Sequence, residues 1–154
     1  MLRIAIIAVC ALITGSGCAD DSRPPIMVSD HDTRPVDPRL SGEWRLRIDN
    51  LQGQAITTLD VRFIGDPAES CMGGDWKQVV VLSHSTSDAS FFPVSEPLSY
   101  ELENDKLTIG RNRVCDAYLH LTVDLSNPGV SGNYRGFGLG SGKLLGHFTL
   151  LKYQ

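Results

Sequence analysis

The side chains that could do covalent or metal chemistry in this chain are few, led by four cysteines and four histidines. Cys10 sits inside a greasy N-terminal run and Cys18 closes it, which leaves Cys71 and Cys115, 44 positions apart, for a folded domain. An even pair with no CxxC spacing and no adjacent His reads as a disulfide formed in an oxidising compartment, because a zinc site needs more ligands than two thiols. Closing a loop of that length contributes ~4 kcal/mol on the chain-entropy model. Two free buried thiols are the competing reading. His84 lies between Ser83 and Ser85, just ahead of Asp88, but no G-x-S-x-G turn exists to hold a strained nucleophile. His120 and His147 could meet across strands as two metal ligands, with no third ligand evident. His31, between Asp30 and Asp32, reads as a solvated linker residue. Gly136, Gly138, Gly140 and Gly142 suggest a phosphate loop, yet Phe137 stands where that loop requires Gly and Leu144 where it requires Ser or Thr. We therefore assign no catalytic residue, metal or cofactor.

Recognition has better candidates. The Ser-rich segment from Ser83 to Pro97 contains Phe91-Phe92-Pro93. Strand alternation would put those two rings on opposite faces and leave one exposed for a partner, unless both fold into a barrel mouth. Arg111-Asn112-Arg113 reads as a small basic turn beside Cys115, where Arg111 and Arg113 could meet an acidic partner or glycan. Glu101 and Glu103 share a strand face and read as a solvated exterior.

These residues need a scaffold, and the pattern says which. At 154 residues, 42% apolar and 21% charged, the chain makes one globular domain at most. Its net charge of −4 provides no positive field, so a nucleic-acid partner is not expected. From Gly42 onward the apolar period is two. Trp44, Leu46 and Ile48 alternate with charged residues, as do Leu59, Val61 and Phe63. Trp76 to Leu82 is a continuous apolar strand. Leu98 to Leu102 and Leu107 to Ile109 flank Asn104-Asp105 like a hairpin. Leu119 to Leu125, Val130 to Phe137 and Leu144 to Tyr153 follow, and a short strand near Phe91–Val94 brings the count to about eight. Short links without a long crossover favour an all-β, antiparallel up-and-down barrel.

Ahead of the barrel, Arg3 precedes ten apolar residues from Ile4 to Ile13 and then Thr14-Gly15-Ser16-Gly17-Cys18. A membrane-spanning helix needs roughly 20 residues, so this run reads as an export signal over residues 1–17. Ser16-Gly17-Cys18 resembles the lipobox of bacterial lipoproteins, in which small residues precede a cysteine that is diacylated and becomes the mature N-terminus; Gly15 stands where that pattern usually has Leu. The resemblance implies lipidation of Cys18. Ala19, in place of the Asp that favours inner-membrane retention, implies an outer-membrane lipoprotein facing the periplasm or the cell surface. Cleavage after Ala19, releasing a soluble protein, is the alternative. Residues 18–40, rich in Pro and Asp, cannot bury enough apolar surface to fold and are expected to be a disordered tether for a domain at 41–154.

Ser41-Gly42-Glu43-Trp44 resembles the G-x-W signature that opens the first strand of lipocalins and other calycins, where the Trp plugs one barrel end. Gly132-Asn133-Tyr134 and Gly146-His147-Phe148-Thr149-Leu150 are similar to late strands of small calycin-like barrels. The resemblance implies that Trp44 is the plug, with Lys152 as the candidate for the basic residue that backs it. The functional expectation is a non-catalytic partner-binding or assembly module in the cell envelope, held to a membrane by its lipid anchor. An inhibitor of a protease or lysozyme-like hydrolase is one alternative, since an S-G-x-W start also looks like bacterial protease inhibitors. A carrier of a small apolar ligand is another, and it requires an interior not filled by Trp44, Phe63, Trp76 and Leu121.

Overall fold

The computed structural model describes residues 35–126, 130–138 and 142–153. The expected signal at 1–17, the expected lipidation at Cys18 and the expected tether up to residue 34 fall outside the described residues. Eight strands, β1 (Glu43–Asn50), β2 (Ala55–Pro67), β3 (Lys77–Thr86), β4 (Leu98–Glu103), β5 (Lys106–Arg111), β6 (Tyr118–Asp124), β7 (Ser131–Phe137) and β8 (Lys143–Lys152), pair antiparallel in chain order. β8 returns to β1 and closes the barrel.

Alternation builds the wall. In β1, Trp44, Leu46 and Ile48 are buried while Glu43, Arg45 and Arg47 are exposed, and the register brings Leu46 beside Leu59 and Leu150. Leu59, Val61, Phe63, Tyr100, Leu107, Ile109, Leu121, Tyr134 and Phe148 complete the same core. Asn104 and Asp105 form the β4–β5 turn, with Asn104 at a φ of 55° that Asn tolerates better than most residues. On β7, Gly132 flanks Tyr134 along the inner face, and a Cβ there would overlap the Thr122 carbonyl and the Phe148 ring. Of the period-two glycines among the described residues, Gly136 lies in a strand, whereas Gly138 and Gly142 lie in the β7–β8 connection; Gly140 lies outside the described residues.

Three expectations are corrected. The folded unit begins before Ser41: Pro38–Leu40 form a single 3₁₀ turn capped by Asp37, Leu40 is fully buried and Val36 packs on the core. Arg39 pairs within the turn with Asp37 (3.0 Å) and clamps it to the barrel through Asp105 (2.7 Å), so prolines read as disorder instead preset a turn. Phe91–Val94 is not a strand but part of a loop at 87–97, where Pro93 and Pro97 supply no N–H to a ladder. Trp76 does not fill the barrel; it is buried against the outer wall, beside Gly110 and His120. Of the apolar run in β3, only Val79 is buried, and Val80 (37% exposed) and Leu82 (43%) face outward.

Candidate binding surface

Both ends of the barrel are stoppered. At one end the Trp44 indole donates to the Leu40 carbonyl (3.1 Å) and the Lys152 ammonium lies 5.5 Å from the ring centre. At the other end loop 87–97 dives inward. Asp88 turns it by accepting from the backbone N–H of Ser90 (2.8 Å) and Phe91 (3.3 Å), and Tyr134 donates its hydroxyl to the Phe91 carbonyl. Phe92 is fully buried, and Phe91 is half-buried with its ring 5.2 Å from that of Tyr134. Both rings therefore fold into the mouth, and Phe92 is not an exposed recognition residue.

Arg111 is corrected as well. It is the last residue of β5, 1% exposed, with its guanidinium over the Phe92 ring at 4.6 Å. Alternation explains this placement, since Leu107, Ile109 and Arg111 share the inward face. Burial pushes its pKa down to about 10, so it stays charged at neutral pH. Asn112 points the other way, and its side-chain oxygen accepts from Ser99 at 2.6 Å. Only Arg113 is a surface cation, paired with Glu69 at 3.0 Å.

Cys71 and Cys115 are joined, with Cα atoms 5.3 Å apart. The bridge pins the β2–β3 connection across the outside of the barrel. Cys71 N–H donates to the Asn112 carbonyl (2.9 Å), Asp75 N–H to the Glu101 carboxylate (3.0 Å), and the Trp76 indole to the Gly73 carbonyl (3.1 Å). Glu101 is thus an exterior residue that holds this flap. Between the flap and the wall lies a groove of about 400 Å³, lined by Pro67, Glu69, Gln78, Pro97, Ser99 and Arg113 among others.

The groove ends where the β3–β4 ladder ends, at Val79 opposite Leu98. Beyond it, the edge of Val80–Thr86 on the β4 side has no strand partner among the described residues. The other edge of β3 is paired with β2, with a bulge where Val61 faces Val81 and Asp60 faces Ser83. The extra residue is Leu82, which turns both Leu82 and Ser83 to the outside. Sequence reasoning missed this edge because a run such as Val79-Val80-Val81-Leu82 reads as covered on both faces. Its signal was the mismatch between that run and the six-residue β4 meant to flank it.

Ser83, His84 and Asp88 do not form a hydrogen-bonded triad among the described residues. Ser83 donates to Asp60 (2.7 Å) rather than to His84, and Asp88 is engaged by Ser90 and Phe91. His120 on β6 lies between Trp76 and Phe137, whereas His147 is on β8 with β7 between them, so the two do not meet. Among the described residues no group of three or more His, Cys, Asp or Glu is placed to hold a metal, and no helix is long and apolar enough to cross a membrane. No protein-family model matches the chain, and comparisons with curated proteins and with solved structures find no match either.

Proposed function

We propose that this protein is an exported lipoprotein, anchored through an acylated Cys18 and belonging to the outer membrane, whose calycin-like barrel is a non-catalytic partner-binding module of the cell envelope. The disulfide fits an oxidising compartment outside the cytoplasm. The observation that carries the binding role is β3: a strand with the composition of a doubly covered one has an edge with no strand partner among the described residues and two exposed apolar side chains, Val80 and Leu82. Proteins usually blunt such edges with charge or proline, and Val80-Val81-Leu82-Ser83-His84-Ser85-Thr86 contains no Asp, Glu, Lys, Arg or Pro.

The occupant is an extended segment of another envelope protein. It adds to β3 antiparallel, continuing the line of β4, with main-chain hydrogen bonds for affinity and alternate side chains for specificity. Nearby charges are already matched on the outer wall, Arg45 with Asp60 at 2.9 Å and Arg62 with Glu43 at 2.6 Å. A segment that brings apolar residues against Val80 and Leu82 therefore meets no unpaired charge there. The filled interior supports this reading over that of a carrier enclosing an apolar molecule. The test is partner capture by the full mature chain against a Leu82→Lys variant, with hydrogen exchange on the complex. Added protection confined to Val80–Thr86 is expected; unchanged exchange there, or protection by a second copy of this chain, counts against the reading.

A further inference from the structure

A strand added to β3 must end or swerve at Val80. Beyond that point its line is already taken by β4, whose Leu98 and Ser99 hold Val79 and Gln78. Pro97, with no N–H to give to a ladder, stands at the junction, and the loop it closes runs back to the buried Phe92. β3 runs from Lys77 to Thr86, so a segment lying antiparallel to it along Val80–Thr86 brings its C-terminal end to this junction. A chain that continued would have to leave sideways, whereas a chain that ends there need not.

The junction has a receptacle. The last two pairs of the β3–β4 ladder, Gln78 with Ser99 and Val79 with Leu98, line the groove of about 400 Å³ beside the disulfide-held flap. Arg113 is the one cation among its lining residues and Glu69 the one anion. Each stands two positions before one of the bridged cysteines, so the Cys71–Cys115 bond keeps both at the groove. Their ion pair lies in solvent, with the Arg113 side chain 60% exposed and that of Glu69 78%. Such a pair contributes little, and its anion is readily exchanged. The Arg45–Asp60 pair on the same wall differs, because Asp60 also accepts from Ser83 and Tyr153.

We infer that the segment received by β3 is the C-terminal tail of its partner: the last residues pair along Val80–Thr86, and the terminal carboxylate enters the groove and takes Arg113 from Glu69. This rests on the strand-edge reading and names the kind of segment that the edge accepts. The planar fork of Arg113 offers a carboxylate two parallel donors, and a segment from the middle of a chain has no charge to place there. Glu69 is the like charge that the tail displaces, so Glu69→Gln strengthens binding.

The probes are octapeptides of random sequence, displayed in one library with free C-termini and in a second joined to the display protein at both ends, and selected on the full mature chain. Enrichment from the first library alone is expected, with added hydrogen-exchange protection over Val80–Thr86. The enriched peptide, synthesised as the acid, should bind at least about tenfold more tightly than its C-terminal amide, as expected for a charge-assisted hydrogen bond. That advantage should shrink with added salt, because Arg113 is exposed. Arg113→Gln should bind acid and amide alike with an unchanged melt, since only a surface side chain is altered. Equal enrichment from both libraries, equal binding of acid and amide, or an advantage that survives Arg113→Gln, each with protection over Val80–Thr86, overturns the tail and leaves the strand edge standing. Enrichment from neither library, or protection only elsewhere, overturns both.

Discussion

Lys152 stands directly opposite Trp44 in the β1–β8 ladder and holds its ammonium 5.5 Å from the centre of the indole. The indole is therefore enclosed by the core below, by Leu40 at its N–H and by a cation at its outer side. Trp44→Ala should cost ~3–5 kcal/mol, as for other large aromatic truncations in a core. A domain of this size has only ~5–15 kcal/mol in total, so the variant should melt far lower or fail to accumulate. Lys152→Met removes only an exposed cation–π contact of about 0.5–1 kcal/mol and should leave the melt nearly unchanged. Thermal unfolding of both variants checks the contrast.

The disulfide holds a flap rather than the barrel. Cys71→Ser with Cys115→Ser should cost up to ~4 kcal/mol through loop entropy. Because the flap covers Trp76 and not Trp44, the tryptophan emission should shift to the red before the barrel unfolds. Alkylation of the oxidised wild type after denaturation without reductant should modify neither cysteine.

Stability should fall in two stages on acidification. Burial depresses the His120 pKa from its ordinary 6.5, so the folded state resists protonation that the unfolded chain accepts, and stability declines as pH falls below about 6.5. Asp60 is held well below the usual carboxylate range by the Arg45 guanidinium, the Tyr153 hydroxyl and the Ser83 hydroxyl. Its contribution is complete above the ordinary value of 3.8 and is lost as pH falls below it. His120→Gln should flatten the first stage and Asp60→Asn the second in melts recorded from pH 8 to pH 3.

Lipidation is tested in cells. Cys18→Ser should block incorporation of labelled palmitate and move the protein from membrane to soluble fractions, since two acyl chains make a stable anchor where none makes one. A wild-type mature N-terminus at Asp20 would instead show ordinary cleavage.

Most of the barrel was legible because its strands carry their burial in period two: Trp44, Leu46, Ile48 and Leu59, Val61, Phe63 point inward as their alternation requires. The Asn104-Asp105 turn and the Cys71–Cys115 pairing were legible for equally local or arithmetic reasons. What failed depended on tertiary placement. Arg111 reads as a surface cation because nothing local says that the last inward position of β5 is covered by a loop. Trp76 reads as core because a sequence does not distinguish the inside of a wall from an outside covered by a flap. The exposure of Leu82 was not legible because neither the bulge nor the short reach of β4 appears in the apolar pattern.

The central claim is that the free edge of β3 receives a strand from another envelope protein, and site-specific photocrosslinking in intact cells tests it most directly. A photoreactive side chain placed at Leu82 should trap an extended segment of one other envelope protein. A probe at Leu51, exposed in the β1–β2 turn, should not. A Lys at position 84 should abolish the crosslink while changing stability by no more than about 0.5 kcal/mol, as for surface substitutions. A crosslink that survives His84→Lys, forms equally at Leu51, or joins only copies of this chain would contradict the account.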